Sequence, residues 1–200
     1  MTQVAIIDSG GANIASLRFA LERLGADATL STDPAVLRAA PRVILPGVGA
    51  AAGAMRRLEA LRLPEVIRDL RQPVLGICLG MQLLFEASDE GDTRCLGLLP
   101  GRVERLPESP GVRVPHMGWN GLQAASAETA AHPLMAGLDG RHAYFVHSYA
   151  YRGDANALAT STHGQPFTAI AARGHVMGAQ CHPERSAATG ARLLRNFLSL

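Results

Sequence analysis

Three features of the sequence predict an α/β fold: an open, mostly parallel sheet with helices on both faces and additional antiparallel strands in the C-terminal half. Short apolar runs alternate with helix-periodic stretches through the first 85 residues, the order that buries a parallel sheet between two helical layers. Beyond residue 100 the runs shorten and turn residues multiply, which favours hairpins. A length of 200 residues with 48% hydrophobic composition suits a single domain, residues 1–200, able to bury a core without disulfides or a structural metal.

Residues 4–7 (VAII) read as the first strand, closed by Asp8-Ser9-Gly10-Gly11. A helix over 13–24 follows, because Ile14, Leu17, Leu21 and Leu24 share one face and Gly25 supplies the stop. Strands at 28–30 and 43–45, the turn Pro46-Gly47-Val48-Gly49, a helix over 50–61 and a strand at 74–77 repeat the pattern. In such a sheet functional groups gather outside the carboxyl ends of the strands, where Asp8, Gly47, Gly49 and Cys78 all fall. Further strands are expected at 101–105, 119–122, 142–149, 157–160, 168–172 and 175–180, the last two joined by a hairpin at Arg173-Gly174. A helix over 186–198 closes the chain on a buried face of Leu193, Leu194, Phe197 and Leu198.

A formal net charge of +2, scattered along the chain without a basic stripe, gives no reason to expect nucleic acid or a membrane surface as partner. Cys78, Cys95 and Cys181 have no metal-ligand spacing and form no even framework, so free thiols, no metal and a reducing compartment are expected. The first residues lack the basic stretch of a secretory signal, and no run reaches the ~18 apolar residues of a membrane span. These features predict a cytoplasmic protein.

The chemistry concentrates in PVLGICLGMQLLF, residues 73–85, where an apolar strand runs through Gly76-Ile77-Cys78-Leu79-Gly80 directly into a helix-forming segment. Glycines two positions either side of Cys78 allow a tight strand-to-helix turn that a Cβ would obstruct, and such an elbow presents the thiol, exposed, at a helix N-terminus that favours thiolate. A hundred residues on, Cys181-His182-Pro183-Glu184 places a histidine and a carboxylate two positions apart just past an apolar strand. Together Cys78, His182 and Glu184 make a triad: His182 takes the thiol proton and Glu184 fixes its tautomer. Taken singly, each piece also fits a bland reading, Cys78 as a core thiol and His182 with Glu184 as an exposed loop pair. Cys181 reads as strand-end packing, since neighbours in a strand face opposite ways.

GICLGMQLLFE and HPE together resemble the class I, triad-type glutamine amidotransferases, over nearly the full chain. LPGVGA (45–50), PHMGWN (115–120), YFVHSY (144–149) and HPERS (182–186) narrow the resemblance to the HisH-type glutaminase subunits of imidazole glycerol phosphate synthase. The resemblance implies a flavodoxin-like sheet, glutamine as substrate, no cofactor, and hydrolysis through a Cys78 thioester with His182 protonating the departing ammonia. It also implies an oxyanion hole made by the backbone of Leu79 and of the turn at Val48 and Gly49, where the turn donor appears only after a peptide reorientation. Gln82, Glu90, Ser148 and Tyr149 match positions that contact the substrate. His147 reads as a strand-end histidine satisfied by backbone, outside catalysis.

The resemblance further implies a heterodimer with a (β/α)8-barrel cyclase subunit of the HisF type, which uses the ammonia to make imidazole glycerol phosphate and AICAR. Asn13, Trp119 and Asn120 match segments at that interface; Trp119, the only tryptophan, could also anchor a core, with the interface reading modestly ahead. The sequence departs from the family at Ser9, where a tyrosine is usual, at Ala12 in place of glycine, and at Arg185 in place of lysine. Three rival readings remain: the glutaminase of another synthase, against which PHMGWN and YFVHSY stand; a catalytically silent docking subunit, against which the intact triad stands; and a cysteine peptidase or related thiol protein, which predicts reactivity without glutamine dependence.

Overall fold

The computed structural model describes residues 2–10 and 14–200. Strand β1 (Thr2–Ile7) leads to α1 (Ile14–Glu22), β2 (Ala26–Ser31), α2 (Pro34–Ala39), β3 (Val43–Gly47), α3 (Ala51–Ala60), α4 (Leu63–Asp69), β4 (Val74–Cys78) and α5 (Leu79–Leu84). The second half adds β5 (Ala87–Ser88), β6 (Thr93–Arg94), β7 (Arg102–Arg105), β8 (His116–Gly121), β9 (Gln123–Ala124) and α6 (Ala127–Ala130). It ends with β10 (His142–His147), β11 (Tyr149–Tyr151), β12 (Ala157–His163), β13 (Gln165–Arg173), β14 (Val176–Ala179) and α7 (Ala187–Leu198).

Among the described residues the main sheet has eight strands in the order β2-β1-β3-β4-β14-β13-β12-β9. The first five run parallel and the last three antiparallel, as the two halves of the sequence predict. Side chains alternate across β3: Val43 and Leu45 pack under α2 to α5, while Ile44 joins Leu17 and Leu21 of α1 and Leu193, Leu194 and Phe197 of α7 on the other face. Both faces are therefore covered by helices. Two smaller sheets stand outside this frame, the antiparallel pair β8 and β10 and the four-stranded β11-β7-β5-β6.

The structure departs from the sequence reading in places that matter for the site. The strand expected over 142–149 breaks at Ser148: β10 pairs with β8 and β11 with β7, so one run of chain serves two sheets. The strand expected at 119–122 begins earlier, at His116, because it follows β10 residue for residue from His147 back to His142. Helices α2 and α4 were not anticipated; the signal for α2 was present, since Asp33 accepts the Ala35 amide at 2.8 Å and Pro34 stands in the first turn. Helix α4 is set off from α3 by Arg62 at φ 55°, a left-handed residue no periodicity reveals.

Candidate active site

The carboxyl ends of β1, β3, β4 and β14 meet along one rim, which brings Ser9, Gly47, Cys78 and the segment after Ala179 together. At the centre Cys78 ends β4 with φ 53° and ψ −114°, outside the ordinary regions for a residue with a Cβ. Crowding around it is severe. A Cβ on Gly80 would lie 1.8 Å from the Leu45 carbonyl oxygen, one on Gly76 2.7 Å from the Gly80 backbone, and one on Gly47 2.6 Å from the Gly80 amide nitrogen. The three glycines let α5 seat directly against β3 and β4, and that seating holds Cys78 in its strained turn. The sequence reading is corrected in one respect: the Cys78 residue is 7% exposed, not open to solvent, because the Val146 carbonyl (3.8 Å) and the Gln180 amide (3.9 Å) close on its sulfur.

His182 Nδ1 stands 2.9 Å from Glu184 Oε1, both side chains nearly buried. Burial alone pulls the imidazole down, but the influence of nearby Cys78 and Glu184 outweighs it and raises His182 to about 10. The imidazolium is thus the favoured form beside the Glu184 carboxylate. The segment is pinned to β10 by His182 N–H donating to Tyr144 O (2.9 Å), Ser186 Oγ donating to His182 O (2.7 Å) and Tyr144 N–H donating to Ser186 Oγ (2.9 Å). Helix α7 locks it from behind, where a Cβ on Gly190 would sit 1.8 Å from Pro183 O.

Cys78 and His182 share an open pocket of about 600 Å³ with Val48, Gly49, Leu79, Gln82, Glu90, Ser148 and Tyr149, so every residue read as oxyanion or substrate contact lines one cavity. Gln82 is 4% exposed and its amide nitrogen is already committed to Tyr149 O at 2.7 Å and Gln180 Oε1 at 3.0 Å. Glu90 Oε2 accepts the Ala51 amide at 2.7 Å, capping α3 from the pocket wall. Gly49 has φ 89°. Of the residues read as interface, Trp119 is 54% exposed beside Met117 at 63%, which answers the alternative that Trp119 anchors the core. Asn120 Nδ2 donates to Thr162 O at 2.7 Å. Asn13 lies outside the described residues.

The sequence matches the family described as "Glutamine amidotransferase class-I" over residues 5–200. This chain belongs to the class I glutamine amidotransferases. It is 58% identical to "Imidazole glycerol phosphate synthase subunit HisH" of Xanthomonas axonopodis pv. citri and 57% identical to the protein of that name from Xylella fastidiosa. Each match covers 100% of this chain and 98% of the relative. The fold is similar to a crystal structure described as a glutamine amidotransferase, with TM-score 0.75 at 21% identity over 98% of this chain and 97% of that one.

Several groups of this amidotransferase site escaped the sequence reading. Gln180 is fully buried within reach of Cys78 Sγ; the parallel register of Ala179 with Ile77 sets it beside the nucleophile, a pairing that no local pattern encodes. His147 is satisfied as expected, its Nδ1 2.9 Å from Tyr149 O, and its Nε2 meets His116 Nδ1 at 3.1 Å. Burial foremost pushes His147 down to about 3 and His116 to about 4, so both are neutral. The Arg185 guanidinium carbon lies 5.5 Å from the centre of the Tyr144 ring, a cation–π contact. Ser9, where the family usually has tyrosine, donates its hydroxyl to Pro46 O at 3.2 Å and so ties β1 to the turn at Val48.

Proposed function

We propose that this chain is the glutaminase subunit of an imidazole glycerol phosphate synthase, hydrolysing glutamine to glutamate and ammonia through Cys78, His182 and Glu184. The observation that carries the reading is Cys78 and His182 on the wall of one pocket large enough for an amino acid, with Glu184 Oε1 2.9 Å from His182 Nδ1. Cys78 sulfur attacks the carboxamide carbon of glutamine, and the carbonyl oxygen takes up the electron pair. The Leu79 amide and an amide of the turn at Val48 and Gly49 stabilise that oxyanion. As it collapses the C–N bond breaks and His182 gives its proton to the leaving ammonia. Water, losing a proton to His182, then attacks the thioester; the C–S bond breaks, glutamate leaves and the thiol is restored.

Recognition of the substrate falls to Glu90 for the ammonium group, to Ser148 and Tyr149 for the carboxylate, and to Gln82 through its oxygen, since its nitrogen is spoken for. The relatives named HisH support a further step: ammonia passes to a (β/α)8-barrel cyclase subunit docked over Met117, Trp119 and Asn120, which makes imidazole glycerol phosphate and AICAR. The chain works as one unit over residues 1–200, and a free thiol nucleophile suits the reducing cytoplasm. Among the described residues no helix is long and apolar enough to cross a membrane.

The test is glutamate release from glutamine by the chain together with a cyclase subunit of this kind. Replacing Cys78 by Ala is expected to abolish it, with a loss on the order of 10⁴-fold or more. Turnover persisting in Cys78→Ala would remove the assigned nucleophile, and binding of the cyclase without any glutamine turnover in the parent chain would leave only a docking role.

A further inference from the structure

Two chains of hydrogen bonds converge on the carbonyl oxygen of Tyr149, and because a carbonyl can only accept, it fixes the direction of both. In the first, Gln82 Nε2 donates to Tyr149 O (2.7 Å) and with its other N–H to Gln180 Oε1 (3.0 Å). Gln180 therefore has its oxygen toward Gln82 and its NH2 group toward Cys78 Sγ, at 3.9 Å. In the second, His147 Nδ1–H donates to the same carbonyl, His147 Nε2 accepts from His116 Nδ1–H, and His116 Nε2 accepts from Asn120 Nδ2. Asn120 is itself oriented by donating to Thr162 O and accepting from Gly121 N–H. A flip of Gln82 would set its oxygen against two acceptors, and a flip of Gln180 would set its NH2 group against the NH2 of Gln82.

A fully buried glutamine in a parallel-sheet core is costly unless its polar atoms are used. Here they are used on the nucleophile. The two contacts to the sulfur act oppositely: Val146 O at 3.8 Å accepts from the thiol and so favours the protonated form, whereas the Gln180 N–H is a donor that strengthens when the sulfur becomes anionic. We propose that Gln180 is a further catalytic residue, donating its side-chain amide to the Cys78 sulfur and holding the thiolate ready for attack and again as it leaves the thioester, with Gln82 as the residue that orients it. The inference rests on Cys78 being the nucleophile. The other titratable groups around the sulfur are His182 with Glu184 behind it, Cys181 from the same segment, His147 at the end of β10, and Glu90 and Arg185 on the pocket wall.

The test reads the thiol without using glutamine, so it separates this inference from the assigned activity. Alkylation of Cys78 by iodoacetamide is followed against pH on the full chain, with the modified residue located by mass spectrometry. Cys95 and Cys181 are buried and raised to about 11 and about 12, and do not compete. Gln180→Glu, which turns the donor into an acceptor, is expected to lower the thiolate fraction at neutral pH about tenfold and to move the alkylation midpoint up by about one pH unit. Gln180→Met and Gln82→Met shift it the same way by less. An unshifted midpoint in a folded Gln180 variant overturns the proposal. Should these variants fail to fold, the parent chain still decides: the Gln180 side-chain NH2 resonance is expected to follow the titration of Cys78 and to lose that response in Cys78→Ala, and a resonance indifferent to the thiol overturns it.

Discussion

At Gly80, two residues past Cys78, an added Cβ would meet the Leu45 carbonyl oxygen at 1.8 Å, whereas at Gly49, on the wall of the pocket that Cys78 lines, it would meet nothing within 4 Å. Both glycines belong to motifs that mark the family, yet they serve opposite ends. Gly47, Gly76 and Gly80 are glycine for want of room, and the resulting contact between α5, β3 and β4 leaves Cys78 one position to occupy. Gly49 is glycine for its backbone, φ 89°, with open space where a Cβ would stand. The Cys78 side of the pocket is preset by packing, whereas the turn at Val48 and Gly49, proposed as the oxyanion side, is tied among the described residues by the Ser9 hydroxyl on Pro46 O and by the Glu90 carboxylate on the Ala51 amide. In the proposed reading, a site so divided stays idle until the docked acceptor sets the turn.

The largest effect is expected on the packed side. Gly80→Ala forces backbone apart in the core and should destabilise the chain by at least about 3 kcal/mol, read from urea unfolding; an unchanged midpoint would mean that α5 has slack and the elbow is not preset. On the open side, Gly49→Ala should cost about 1 kcal/mol in stability for its positive φ, while lowering partner-stimulated glutamine turnover by on the order of tenfold. Equal damage to stability from the two substitutions would erase the distinction.

The two histidines on the rim sharpen it on a pH axis. His182 is raised from 6.5 to about 10, so the stability it contributes is fully present below about pH 6.5 and is lost as pH rises through about 10. His147 is lowered to about 3, so its contribution is present above about pH 6.5 and is lost as pH falls toward about 3. Unfolding free energies measured against pH should therefore show His182→Gln closing its gap to the parent on the alkaline side and His147→Gln on the acid side. Gaps that close on the same side would contradict the two environments. The smallest effect on folding belongs to Trp119→Ala, half exposed on β8: stability within about 0.5 kcal/mol of the parent, with cyclase binding weakened by about 1 kcal/mol or more by calorimetry.

What the sequence made legible follows this same division. The parallel half, the elbow and the pairing of His182 with Glu184 could be read because each rests on local spacing: apolar runs, glycines two positions from Cys78, two side chains on one side of an extended segment. Contacts made by strand register were not legible. Gln180 reaches Cys78 because β14 lies parallel beside β4, and His116 reaches His147 because β8 runs antiparallel to β10, both pairings of distant segments. The break at Ser148 also went unseen, since a strand that changes sheets keeps the same alternation of side chains on either side of the break. An elbow lifts its residue from the sheet and so predicts an exposed thiol; the cover supplied by Val146 and Gln180 comes from elsewhere in the chain.

The most direct measurement is the rate of glutamate release from glutamine by the purified chain alone and by the chain saturated with a barrel-type cyclase subunit and its nucleotide ligand. A preset nucleophile facing an unset oxyanion turn predicts slow release alone and acceleration on the order of 10²–10³-fold in the complex, the size of one oxyanion donor gained. Release by the isolated chain as fast as by the complex would contradict the division of the site.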